Sequence, residues 1–307
     1  MALADTSAPP RRRPLIGKKW LPYVLSLPAL IVCIGILIPF VTAVLYSLQR
    51  YRLSQPFARK YNWGQNYVDF LTDPSFWNTV KVSLSYAVFT VGLELLLGLG
   101  IALLLQRRTL VNNFVSIMLL MPLMTAPALA ALMWKLMTNP NFGILSYFAS
   151  LIGLEDFRWA SSPSTAMLTV VLVDIWVYTP FIMILLLAGL RSLPTQPFEA
   201  AALDGVPRLQ QFFRITLPML MPYILTATLF RLLDSIQQFD IIYAMTQGGP
   251  GDALTVFQVE AYLNFFQSTN VGRSAALMII LWAITYVLSN IFIKNWLKLR
   301  ARAAGQH

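Results

Sequence analysis

Residues 199–218 read EAAALDGVPRLQQFFRITLP, a polar, charged interval between two apolar runs at 167–190 and 217–230. The helices predicted on either side, 166–190 and 215–239, are each long enough to cross a bilayer, which takes about 20 apolar residues. Arg191, Arg208 and Arg214 frame the interval, and the excess of Lys and Arg in cytoplasmic loops places it in the cytoplasm. Pro194 and Pro197 stop the preceding helix and start another, since proline suits a first helical turn. The Ala-rich segment 198–203 favours a short helix. Gly205 permits a turn that a residue with a Cβ resists, and Val206-Pro207 restarts the chain. Phe212 and Phe213 offer apolar anchors. A short helix presenting Glu199 and Asp204 to the cytoplasm is a docking knob for a soluble partner; the plainer alternative is an amphipathic loop resting on lipid headgroups.

The rest of the composition agrees with a membrane chain. Of 307 residues, 57% are hydrophobic and 12% charged, against about 25% charged in soluble proteins. The net charge of +10 comes with no basic stripe interleaved with aromatics, so lipid rather than nucleic acid is the expected partner of these cations. Cys33 is the single cysteine and His307 the single histidine. An intrachain disulfide, a thiolate metal site and most histidine-based catalysis are thereby excluded.

Six spans are predicted: 20–49, 77–105, 114–137 with Pro122 and Pro127 inside it, 166–190, 215–239 and 275–296. The expected organisation is a basic cytoplasmic tail (1–19), a transmembrane domain (20–297, with its cytoplasmic loop at 191–216) and a cytoplasmic tail (298–307). Fourteen basic residues, Lys294 near the end of the sixth predicted span among them, fall on the side of the two termini and six on the outer side, which puts both termini in the cytoplasm. The first outer loop, with Arg50, Arg52, Arg59 and Lys60, is the exception to that pattern.

The spacing Glu199-Ala200-Ala201, three residues, Gly205, nine residues, Ile215, one residue, Leu217-Pro218 resembles the cytoplasmic coupling loop of binding-protein-dependent ABC importer permeases. Two outer stretches are similar to the sugar and polyol branch of that family. They are Asn66-Tyr67 through Asp73-Pro74-Ser75-Phe76-Trp77, and FDIIYAMTQGGP at 239–250. The resemblance implies an all-α membrane protein with the six-helix fold of type I ABC importer permeases, in a bacterial or archaeal cytoplasmic membrane. It implies a second similar permease, two ATP-binding subunits and an extracytoplasmic binding protein as partners. ATP and Mg would be bound by the partner subunits, this chain holding no cofactor of its own; it carries no G-x-x-x-x-G-K-[ST] phosphate loop. Coupling to the ATPase would fall to Glu199, Ala200, Ala201, Asp204 and Gly205.

Charges at membrane depth are costly when unpaired. Asp174 and Tyr178 share one face of the fourth predicted helix; Arg231, Ser235 and Gln238 share one face of the fifth. Either Arg231 pairs with Asp234 or Asp174 to fasten the helices, or these groups line a sugar path. In maltose-type permeases the polar groups touching sugar match, by the coupling-loop register, Asp174, Tyr178, Phe181, Arg231, Ser235 and Gln238. Asp174 and Arg231 stand where that type has neutral residues. The implied ligand is an oligosaccharide or disaccharide, with a polyol or glycerol-phosphate-like ligand as the alternative. Glu94 and Lys135 read as structural. A stand-alone secondary transporter using Asp174 or Glu94 as a proton site is the rival from another class.

Overall fold

The computed structural model describes residues 21–154 and 157–303; the predicted basic tail at 1–19 lies outside them. The chain divides into two units, 1–45 and 46–307. Helix α1 (Leu21–Ser47), all but its last two residues in the first unit, supplies the described part of that unit and runs unbroken past Pro28 and Pro39.

The second unit begins with a two-residue hairpin, β1 (Gln49–Arg50) against β2 (Lys60–Tyr61), and a short helix α2 (Gln65–Thr72). Helix α3 (Pro74–Leu105) starts three residues before its predicted position, with Pro74 in its first turn. Its cap explains the start: the Asp73 carboxylate accepts the Ser75 N–H at 2.9 Å. That bond, helped by Arg273 at 3.7 Å, holds the Asp73 carboxyl below its usual range.

The third predicted span is corrected by the structure. Instead of one helix over 114–137 there are two, α4 (Leu110–Leu119) and α5 (Pro127–Met137), joined through a 3-10 turn at Pro122–Met124 and bent by 91°. Pro122 and Pro127 each lack the amide hydrogen an unbroken helix needs and clash with the preceding turn. After α6 (Ile144–Leu151) comes α7 (Pro163–Ser192), which carries Pro180 inside it. The loop helices α8 (Gln196–Leu203) and α9 (Arg208–Gln211) lead through a π turn at Phe212–Thr216 into α10 (Leu217–Ile236). The fifth span therefore starts earlier than 215 and stops before 239. Phe239 instead precedes a further short helix, α11 (Asp240–Thr246), followed by α12 (Phe257–Tyr262) and α13 (Val271–Ala303). The segment 298–303, expected as tail, continues α13.

Among the described residues, five helical stretches are long and apolar enough to cross a membrane, six if the bent α4–α5 pair is one span. Three apolar clusters hold the second unit. Ala130 and Ala131 of α5, Val170, Val173 and Val177 of α7, and Ile241 and Ile242 of α11 form one. Phe70, Phe76, Ile236, Phe257 and Leu277 join α2, α3, α10, α12 and α13 in another. The third, with Ala102, Ile182, Leu186, Leu220 and Ala227, packs α3, α7 and α10 together. There α3 and α7 meet at Gly98, where an added Cβ would lie 2.8 Å from Ile182 Cγ2.

Candidate functional site

Two places in this fold gather residues whose chemistry exceeds what packing needs. One is the exposed loop joining α7 to α10; the other is a buried cluster on α3, α7 and α10.

In the loop, Pro197 occupies the first turn of α8 and Glu199 lies beside it, where a carboxylate favours the positive end of the helix. Ala201 is buried, while Glu199, Ala200, Asp204 and Gly205 are exposed. Gly205 ends the helix at φ +68°, and the Val206 N–H reaches back to the Ala201 carbonyl at 2.9 Å. This is the left-handed helix end that glycine makes at least cost. Leu203, Leu209 and Phe213 are 90%, 72% and 56% exposed around it. The five residues expected to couple to an ATPase thus lie together on α8 and the turn that ends it.

The buried cluster centres on Arg231, which is 1% exposed. Its Nε lies 2.8 Å from Glu94 Oε2 and its Nη2 donates to Glu94 Oε1 at 2.9 Å. The same Nη2 donates to Asp174, and Nη1 donates to Asp234 at 2.7 Å. Below the guanidinium lies the Tyr178 ring, 3.9 Å from Cζ to centroid, a cation–π arrangement. Gln238 donates its amide to Asp174 Oδ1 at 3.1 Å and accepts the Phe239 N–H. Ser235 shares a 2.8 Å hydrogen bond with Thr90 of α3.

Of the six residues expected on the ligand path, Asp174, Tyr178, Arg231 and Gln238 meet directly, and Ser235 lies one turn along α10. Phe181 does not join them; it packs against the apolar cluster of Ile182, Leu186 and Leu220. Both pairings weighed for Arg231 occur together. Glu94, read as structural, is the partner that reasoning along each helix missed, although Tyr86, Thr90 and Glu94 recur every four residues on one face of α3. Lys135 donates to the Ala244 carbonyl at 3.3 Å and ties α5 to α11.

Electrostatically the cluster sets three carboxylates around one guanidinium. Glu94 and Asp174 are fully buried, whereas the Asp234 side chain is 56% exposed. Asp234 and the half-buried Tyr178 form the accessible edge of an otherwise closed network.

Comparison with known proteins places this geometry in a family. Residues 94–302 match the family described as binding-protein-dependent transport system inner membrane component. The chain is 32% identical to the trehalose/maltose transport system permease protein MalF of Thermococcus litoralis, covering 89% of this chain and 92% of that one. It is 31% identical to the sn-glycerol-3-phosphate transport system permease protein UgpA of Shigella dysenteriae, covering 90% and 94%. A chain from the crystal structure of a bacterial ABC transporter that imports the acidic polysaccharide alginate shares the fold. Its TM-score is 0.79 at 20% identity, with 92% and 96% of the two chains covered.

Proposed function

The chain belongs to the binding-protein-dependent transport system inner membrane components, and on that premise we propose that it forms one half of the membrane path of an ATP-driven sugar importer. A second similar permease supplies the other half. Two ATP-binding subunits grip the 191–216 loops from the cytoplasm, where both termini also lie, and an external binding protein delivers an oligosaccharide or disaccharide. The observation that carries this reading is the short helix α8, with Glu199 and Asp204 exposed, Gly205 at positive φ and Leu203 bare beside them. A loop resting on lipid headgroups would hold its acids away from an anionic surface.

The polar cluster narrows the ligand. Arg231, the cation at its centre, is already engaged by Glu94, Asp174 and Asp234, so the cluster as a whole is electronegative and disfavours a phosphate ester. Hydroxyls suit it better: the exposed carboxylate of Asp234 can accept from a neutral sugar or a polyol, and the Tyr178 ring can stack on a sugar face. Ligand contact is assigned to the accessible edge, Asp234 and Tyr178; Asp174, Arg231, Ser235 and Gln238, all buried, hold that edge from behind, with Phe181 supporting the wall.

The test uses the assembled transporter. Glu199→Lys and Gly205→Trp should each abolish ATP-driven uptake while leaving the chain in the membrane with its permease partner. Normal uptake in both variants would remove the docking role of the loop.

A further inference from the structure

The first outer loop breaks the charge pattern of the chain, and its geometry gives a reason. Arg50 and Lys60 face each other across the β1–β2 ladder, and Arg52 bridges to Asn270 just before α13. Together with Gln55 and Ala58 they line a notch of about 220 Å³. The backbone under the notch is held firmly. Leu53 N–H bonds the Thr269 carbonyl at 2.8 Å and Gly272 N–H bonds the Tyr51 carbonyl at 3.1 Å. Asn66 donates to the carbonyls of Ser47 and Gln49 at 2.8 and 3.0 Å. A fourth cation, Arg59, lies over the buried Tyr51 ring at 3.9 Å.

None of these four cations pairs with a carboxylate among the described residues. Like charges converging in a fixed concave site repel one another, so the arrangement is stabilised by an anion between them. Beside the notch, Phe57, Tyr61 and Trp63 are 101%, 56% and 89% exposed. Bare aromatic rings next to cations, close in sequence to the end of an apolar span, are the composition of a membrane–water interface. A water-facing anion site has no use for them.

We propose that the notch of Arg50, Arg52 and Lys60 binds the phosphodiester of an anionic phospholipid headgroup, with Phe57, Tyr61 and Trp63 set in the surrounding interface. The loop is then an anchor fixing the hairpin, and through Thr269 and Asn270 the start of α13, to the bilayer surface. It also accounts for three of the four cations of this outer loop: they hold lipid, at odds with the pattern that orients the other loops.

The delipidated, detergent-purified transporter is incubated with phosphatidylglycerol or phosphatidylcholine at equal low molar ratio, and bound lipid is counted by native mass spectrometry. Phosphatidylglycerol should be retained in preference to phosphatidylcholine. Arg50→Gln/Arg52→Gln/Lys60→Gln should lose one bound copy, with affinity at that site lowered about a hundredfold. Arg107→Gln/Arg108→Gln, which neutralises another loop, should leave the affinity of that copy unchanged. Should the triple variant prove unstable, Arg50→Gln alone is expected to weaken the same copy about fivefold. Phe57→Ala/Trp63→Ala should weaken phosphatidylglycerol without changing competition by inorganic phosphate. Equal retention of the two lipids, or phosphatidylglycerol held at the original level by the neutralised variants, overturns the proposal. So does displacement of phosphatidylglycerol by an equal concentration of inorganic phosphate, which would mark a site for a soluble anion.

Discussion

Replacing Arg231 by Met tests the buried cluster most directly. Methionine fills much of the same volume but removes the cation, leaving Glu94 and Asp174 facing each other at 0% exposure. Removing one partner of a buried pair costs about 3–5 kcal/mol, because a charge stays behind without compensation. The Asp234 contact adds little to that figure, since its side chain is 56% exposed and exposed pairs contribute about 0–1 kcal/mol. Against total stabilities of about 5–15 kcal/mol, the loss is a large fraction. Neutralising the two buried acids as well, in Glu94→Gln/Asp174→Asn/Arg231→Met, should return most of it. Thermal unfolding of the purified complex, followed by fluorescence-detected size exclusion, ranks the three proteins. On the proposed reading uptake should stay lost in the triple variant, because the guanidinium that holds Asp234 and Tyr178 in place is gone even when the fold is restored. The reasoning fails if Arg231→Met unfolds at the original temperature, or if the triple variant is no more stable than the single one. Recovery of uptake in the triple variant would make Arg231 a fastener and nothing more.

Two other outcomes follow from the same geometry. Ser235→Trp should lower the amount of assembled complex, because Ser235 is 2% exposed and bonded to Thr90; overpacking such a site costs about 1–3 kcal/mol, and full assembly with blocked uptake would show free volume there instead. Glu260, on α12 outside the spans, has its carboxyl pushed above the usual range, first by burial and then by Asp73 and Asp252 nearby, and its Oε2 is buried without a hydrogen bond. A raised folded-state value makes its share of stability largest in acid and lost as pH rises, so Glu260→Gln should unfold at a higher temperature than the parent at neutral pH, with the gap closing as pH falls through the carboxylate range; a gap independent of pH would contradict this.

Much of the architecture could be read from apolar run length, because a bilayer demands about 20 residues per helix whatever the packing. The loop could be read as well: Pro197, the alanines and Gly205 act locally, and the structure forms a helix and a left-handed end at those positions. What escaped reading depends on contacts across the fold. The 91° bend between α4 and α5 follows from two prolines whose presence was plain but whose angle is set by what α5 packs against. That neighbour is α11, a seven-residue helix too short to show a period. It is helical because Ile241, Ile242 and Met245 are buried on α5 and α7, not because its sequence insists on it. The cluster divides the same way. Arg231–Asp234 is a three-residue spacing and could be anticipated, whereas Glu94 and Arg231 are 137 residues apart, a separation on which helix periodicity is silent.

The loop and the cluster are mechanically one object. Asp174 precedes the end of α7 at Ser192 by eighteen residues, about 27 Å of helix at 1.5 Å per residue. Arg231 follows the start of α10 by fourteen, about 21 Å. Near the loop these helices are tied to each other and to α3. Ser192 and Tyr223 share a 2.8 Å hydrogen bond, and an added Cβ at Gly189 would lie 2.7 Å from the Tyr223 ring. Arg191 donates to the Leu105 carbonyl at the end of α3 at 3.0 Å and to Asn113 of α4 at 3.2 Å. Close-packed helices joined in this way transmit a displacement as a tilt or rotation of the block, since dense interiors do not compress. Farther from the loop, within their length, α3, α7 and α10 are fastened by Arg231 to Glu94, Asp174 and Asp234. A partner that moves α8 therefore loads those ion pairs. Rotation of any one helix against the other two must either carry the guanidinium with it or exchange one carboxylate for another. Having three acids around one cation makes such an exchange cheaper than separation of a lone pair, because Arg231 keeps a counter-charge throughout. Three carboxylates around one cation exceed what a static fastener needs, and would let the helices exchange counter-charges if a partner turned one against another.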